Sequence, residues 1–290
     1  MRIRAFLVGL LVLAAFGAGV LFTRPWEKGA AAVKPGSPAP QPVRLVQGTH
    51  LELLLLTALD SGGSAEGSQV DLVLAKPVSV GGKTVLPAGS RAVGKVTQSR
   101  GASVFSGMAN RPARLAVSVE SIQAPDGAVV LLSASDDGTF EFTQANTSGR
   151  KDAARVDRLW QTPEGQQVLK DFAAKSTGIG QADEVDLKRM ADVLGLEDTR
   201  KVADRLDSKN RKSGPSAQDA VNGLMRGDLS QLTGIDLVMA TRALGEIQSV
   251  VASVDDKLRG VFKGSNIHAT AGTPVQAKVK EDAKLMPVGG

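Results

Sequence analysis

The chain has 290 residues and 42% apolar content, enough for one well-filled core with a second region around it. Aromatics make up 3% and tyrosine is absent, so a core must be built from Val, Leu, Ile and Ala, and sugar-stacking or base-stacking platforms are disfavoured. The net charge of +5 is the balance of 35 basic and 30 acidic residues with no dense basic stripe, so direct nucleic-acid binding is not expected; the absence of cysteine excludes disulfides, thiolate chemistry and Cys-ligated zinc.

Met1 to Arg4 supplies a short basic start, and Ala5 to Phe22 is an uncharged apolar run. As a helix it is about 27 Å long, close to the roughly 30 Å hydrocarbon core, so residues 1–22 read as a transmembrane signal anchor. The competing reading is a cleaved signal peptide, because Ala15, Gly17, Ala18 and Gly19 offer small residues near a cleavage point. The following Thr23 to Lys28 contains Arg24, Trp26 and Lys28, a composition suited to the membrane interface. Both readings export the remainder, which is expected in the periplasm or at the cell surface; the anchor reading holds it by a single pass in the inner membrane. Residues 23–42 are rich in Pro, Ala and Gly and form a linker that spaces the next domain from the bilayer.

From Val43 to residue 149 the pattern is that of short β-strands. Leu45 to Leu59 holds a Gly48-Thr49 corner and an apolar run, and Asp60 to Ser68 is a Gly/Ser loop before the alternating Val70 to Val80. In Gly82 to Val96, Pro87 sets up a tight corner, Gly89 can take positive φ, and Gly94 sits in the second strand. Ala113 to Ile122 alternates with Leu115, Val117 and Val119 on one face; Pro125-Asp126-Gly127 is a turn, and Ala128 to Ser133 returns. The alternation implies one wet face per strand, as expected for a small closed barrel or sandwich.

Residues 150–264 change period. Lys151 to Gln161, Glu164 to Lys175, Glu184 to Leu194, Asp198 to Asp207 and Ala217 to Arg226 read as short helices, and Ile235 to Phe262 as a long one. Along that last helix Leu237, Ala240, Leu244, Ile247, Val251, Val254, Leu258 and Val261 step by three and four, a seam that either packs in a local bundle or associates with another helix. Residues 265–290 return to β character: Ala271-Gly272-Thr273 repeats the Gly48-Thr49 corner, and Val275, Ala277 and Val279 alternate with polar residues. The expected fold class is therefore α+β: an anchor, a small antiparallel barrel interrupted by a helical insertion, and a C-terminal strand that completes the barrel.

Three signatures occur in order: Leu86-Pro87-Ala88-Gly89-Ser90 leading to Gly94, then Pro125-Asp126-Gly127, then Gly272-Thr273-Pro274-Val275 leading to Asp282 and Leu285. Behind an anchor and a Pro-rich linker, this order resembles the C-terminal β-barrel of the TrbI family, the conjugal-transfer and type IV secretion proteins that bridge inner and outer membranes. The resemblance implies an oligomeric envelope scaffold that contacts other secretion proteins. The insertion holds no uncharged span of about 20 residues, so a membrane-crossing helix of the family's kind is not expected there.

No catalytic constellation is present. The two histidines, His50 and His268, lie on strands flanking similar corners, and would make a metal site with Glu52 or Asp282 only if those strands paired. Asp136-Asp137-Gly138 with Glu141 lacks the alternating ligands of a calcium loop, no serine sits in Gly-x-Ser-x-Gly, and Gly178-Ile179-Gly180 lacks a third glycine and a preceding strand. Asp255 and Asp256 read as a solvated helix face. The expected chemistry is none: no catalytic, cofactor-binding or metal-binding residues.

Overall fold

The structure is a computed structural model that describes residues 41–102, 112–134, 138–143, 147, 149–176, 184–207, 229, 232–259 and 266–288. The expected anchor at Ala5 to Phe22, the helix at Ala217 to Arg226, the pair Asp136 and Asp137, and Gly178 to Gly180 lie outside the described residues.

Thirteen strands and five helices are seen among the described residues. The strands are β1 (Val43–Leu45), β2 (His50–Leu55), β3 (Leu59–Asp60), β4 (Gln69–Leu74), β5 (Val78–Val80), β6 (Lys83–Leu86), β7 (Arg91–Arg100), β8 (Arg114–Gln123), β9 (Val129–Ser133) and β10 (Thr139–Phe142), followed after the helices by β11 (His268–Ala269), β12 (Pro274–Val279) and β13 (Ala283–Leu285). Six of them close an antiparallel barrel in the order β2, β4, β7, β8, β9, β12 and back to β2. The C-terminal β12 is the closing strand, pairing Val275 with Leu53 and Ala277 with Leu51 on one side and Val279 with Leu132 on the other. β10 extends the wall along the other half of β8, and β1 pairs with β13, so the two ends of the described chain meet.

The barrel interior is solid. Leu51, Leu53 and Leu55 of β2, Leu72 and Leu74 of β4, Leu115 and Val117 of β8, and Val275 and Ala277 of β12 are all buried in one cluster. This is the packed interior expected of a barrel of few strands, where side chains and not solvent fill the lumen.

The expectation of one wet face per strand fails at β2 and β4. Leu54, Leu56, Val73 and Ala75 point outward from those strands and are buried in a second cluster. The cover is a helix. Leu53-Leu54-Leu55-Leu56 is unbroken because both faces of this wall are dry.

Five helices lie between β10 and β11: α1 (Gly149–Trp160), α2 (Pro163–Ser176), α3 (Glu184–Leu194), α4 (Glu197–Asp207) and α5 (Gly234–Arg259). α5 is the axis of this region, packed against α1, α2, α4, β2 and β4. Its seam residues Leu237, Leu244, Ile247 and Val254 are buried and Val251 is partly so, facing Val156, Leu169, Phe172 and Ala203 of the shorter helices. Leu237, Leu244, Ile247 and Val254 are thus spent on the chain's own core, as in a local bundle. Leu258 belongs to α5, but its side chain and the segment holding Val261 lie outside what is described. The window Gly234–Val254 is long and apolar enough to cross a membrane by length and composition, and 61% of it is buried within the protein.

Candidate functional site

The glycines singled out in the sequence occupy corners where geometry demands them. Pro87 to Ser90 closes a four-residue turn, with Ser90 N–H donating to the Pro87 carbonyl at 3.2 Å and Gly89 at φ +86°. Val46 to Thr49 and Thr270 to Thr273 repeat that turn, with Gly48 at φ +80° and Gly272 at φ +73° in the equivalent third position. Pro125 and Asp126 make the hairpin between β8 and β9, where Gly127 takes φ +84° and Ala124 N–H donates to the Ala128 carbonyl at 2.8 Å. Gly94 has a different reason: a Cβ there would sit 2.1 Å from the Ser118 carbonyl oxygen of β8, beside an irregularity in the β7–β8 register.

Two of these corners are seats for α5. A Cβ on Gly89 would stand 2.3 Å from the Gly234 carbonyl oxygen at the start of the helix. Eleven residues along, a Cβ on Gly245 would stand 1.9 Å from the Ala271 carbonyl oxygen, and one on Gly272 would stand 3.1 Å from the Arg242 Cα. The Gln248 side-chain carbonyl also accepts the Ala271 N–H at 2.9 Å. Helix and barrel therefore meet backbone to backbone at both corners.

Around this junction lie two concavities. A groove of about 420 Å³ brings Pro87, Gly89, Pro125 and Gly127 together with Arg91 and Gly234. A cleft of about 270 Å³ lies between α4, α5 and the Ala271-Gly272 corner, lined by Glu52, Asp198, Arg242 and Glu246 among others.

The carboxylates of the cleft have partners within the protein. Glu52 pairs with Lys76 at 2.8 Å and Asp198 with Lys201 at 3.3 Å. Glu246 accepts the Asp198 N–H at 3.1 Å on one oxygen, and the Thr199 N–H and hydroxyl, both at 2.9 Å, on the other. It caps the first turn of α4, whose leading N–H groups have no partner within the helix. Burial raises its pKa above the usual carboxylate range, outweighing the Thr199 and Asp198 donors that pull it down. The far end of α4 is tied by Arg205 to Asp236 of α5 at 2.7 Å. Sequence reading missed Glu246, since a cap delivered from a helix 47 residues away leaves no local signature.

The histidines do not meet. His50 lies opposite Lys278 in the β2–β12 pair, whereas His268 lies opposite Asp60 in β11–β3 and contacts its carboxylate at 2.5 Å. Asp282, the other conceived ligand, is held by Arg44 Nε at 2.9 Å and by the Gln47 N–H at 2.8 Å. No group of three or more metal-ligating side chains occurs among the described residues.

No family model and no curated protein matches the chain. Among solved structures it is similar to ComB10 of the Com type IV secretion system of Helicobacter pylori, at 12% identity over 83% of this chain and 89% of that one, with a TM-score of 0.27.

Proposed function

We propose that the chain is a non-enzymatic, membrane-anchored scaffold of the cell envelope and a subunit of a conjugation or type IV secretion-like channel. The observation that carries this reading is the position of the three signatures on one closed barrel. The Pro87–Ser90 corner leads into β7, Pro125–Gly127 joins β8 to β9, and Gly272–Val275 opens the closing strand, with the helices interrupting the barrel before its last strand. This arrangement is the one implied by the resemblance to the TrbI family. In this reading Ala5 to Phe22 holds the chain in the inner membrane, and the barrel associates with like subunits and other envelope proteins.

The test is assembly. Light scattering after size exclusion of the full-length chain in detergent, together with co-purification from cells that carry its neighbouring genes, is expected to give a homo-oligomer or a complex with envelope proteins. A monomer at high concentration with no partner would sink the proposal.

One observation favours a second reading, an exported binding module for a small ligand or a cell-wall component: the cleft with convergent polar groups beside α4 and α5. The packed lumen counts against a ligand carried inside the barrel. Calorimetric titration with cell-wall fragments separates the two, because the scaffold reading expects no heat of binding.

A further inference from the structure

The walls of the barrel are finished differently. The outward side chains of β2 and β4 lie under α5, whereas on the wall where β9, β13 and β1 run side by side they are open to solvent. β13 pairs with β1 through Val43 with Leu285, Arg44 with Lys284 and Leu45 with Ala283. On its other side the same segment keeps to β9 and its hairpin: the Lys280 N–H donates to the Leu131 carbonyl at 2.9 Å, and the Met286 N–H to the Asp126 carboxylate at 2.8 Å.

Alternation sorts the faces of this wall. Val130 and Leu132 of β9, Leu285 of β13 and Leu45 of β1 are buried in the core, so Val129, Leu131, Met286 and Val46 stand on the outer face. With Val288, whose N–H donates to the Thr84 carbonyl at 2.8 Å, they are five of the seven exposed large hydrophobic side chains among the described residues. Single apolar side chains on a surface are ordinary; five gathered on one wall mark an interaction site. Lys280, Lys284 and, beside Thr84, Lys83 are exposed around them with no ion pair among the described residues. The acids on this wall are Glu281, Asp282, which pairs with Arg44, and Asp126, whose two oxygens accept the Ala128 and Met286 N–H groups.

We propose that this wall is a docking surface for a phospholipid bilayer, the membrane that holds the chain's own anchor; the inference rests on the reading of Ala5 to Phe22 as that anchor. Five part-exposed aliphatic side chains amount to a few hundred Å² of apolar surface, below the roughly 800 Å² a side that a stable protein partner buries. They are Val, Leu and Met, with none of the aromatic anchors on which protein interfaces depend. A bilayer asks less. The chain enters this wall at β1, and residues 23–42 reach at most roughly 60 Å, so the tether keeps the wall at high effective concentration beside the lipid. A contact too weak to hold a free partner is then populated: the aliphatic tips enter the headgroup boundary, and the lysines extend to the phosphate oxygens.

The chain has no cysteine, so a single fluorescent label can be placed at will. The test uses the full-length chain reconstituted in vesicles of phosphatidylethanolamine and phosphatidylglycerol, labelled at Leu131→Cys on this wall or at Gln98→Cys, exposed on β7. Brominated lipid is expected to quench the Leu131→Cys label roughly threefold more than the Gln98→Cys label, and aqueous iodide to do the reverse. Val129 is 61% exposed, so Val129→Asp leaves the core intact and is expected to remove about half or more of the lipid quenching at Leu131→Cys. Equal lipid quenching at the two positions, or no loss with Val129→Asp, overturns the docking. Protection of Leu131→Cys from iodide without quenching by lipid also overturns it, since a second copy or another protein then covers the wall. Alkaline carbonate extraction separates the two ways to fail. A chain that stays with the vesicles while both labels remain in water has its anchor and lacks the docking; a chain that is stripped off has no anchor, and the inference falls with that reading.

Discussion

The barrel and the helical insertion are held together by different means. In the barrel, distant strands exchange backbone hydrogen bonds around a solid core of Leu and Val, and its corners work because glycine accepts a positive φ. In the insertion, short charged helices gather on one apolar axis, α5, and are pinned at their ends by side chains: Glu246 and Asp236 on α4, and Asp157 of α1 to Lys257 of α5 at 2.6 Å. The first kind of structure is cooperative around a ring. The second depends on one helix, so it can loosen without the ring being lost, except where the two share residues.

The shared corner gives the largest expected effect. Gly89→Val puts a β-branched residue at φ +86° and drives its Cβ into the Gly234 backbone. Strain and clash together should cost roughly 4 kcal/mol or more, a fall of about 10 °C in Tm, with barrel and helices destabilised together. An unchanged melting temperature would show that the junction is not as close as described. Gly94→Ala sharpens the contrast, because its Cβ runs first into Ser118 and Val119 of β8 and should weaken the barrel wall first.

Core truncations come next. Leu244→Ala in α5 and Leu72→Ala in β4 each remove a buried side chain and are expected to cost about 2–5 kcal/mol. The difference lies in where the loss appears. With Leu244→Ala, helical circular dichroism should fall at a lower urea concentration than strand amide protection is lost; with Leu72→Ala the two should fall together. Coincident transitions in both variants would mean that the insertion and barrel are one cooperative unit.

Much of this architecture is legible in the chain. Period-two alternation with turn residues at 87–90 and 125–127 marks β7, β8 and β9, and the three-four stepping of Leu237 to Val254 marks α5 to within a residue at its start. The return of β character after residue 265 predicts that the last strand closes the barrel, and β12 does so. What sequence could not supply were facts that depend on who packs on whom. The run Leu53 to Leu56 reads as apolar, but only the position of α5 explains why it does not alternate. The roles of Gly245 and Gly234 emerge only when the Ala271 carbonyl and the Gly89 corner are set against them. The two-residue pair β3–β11 joins residues far apart in sequence over too few positions to leave a pattern.

The smallest expected effect is also the one that separates the two regions by sign. At the barrel's ends Asp282 is held below the usual carboxylate range by Arg44 and the Gln47 N–H, and Asp126 by the N–H groups of Met286 and Ala128. A lowered folded pKa means stability that is present above the unfolded value and lost as pH falls through the folded one, so these clasps weaken only in acid below the normal Asp range. Glu246 behaves oppositely. Its raised pKa means that the buried charge is a cost at neutral pH, relieved as the pH drops through a value above the normal Glu range. Glu246→Gln removes that charge and keeps one carbonyl acceptor for the first turn of α4, so at pH 7 it should shift stability by no more than about 1 kcal/mol. On lowering the pH from 7 towards 5, wild type should gain on the Gln variant in urea melts. Asp282→Asn should leave that interval unchanged and flatten only the loss below pH 4. If Glu246→Gln instead proved less stable than wild type at pH 7 and that difference did not grow in mild acid, the three hydrogen bonds to α4 would outweigh burial, and the cap would be the stronger of the two forces on this side chain.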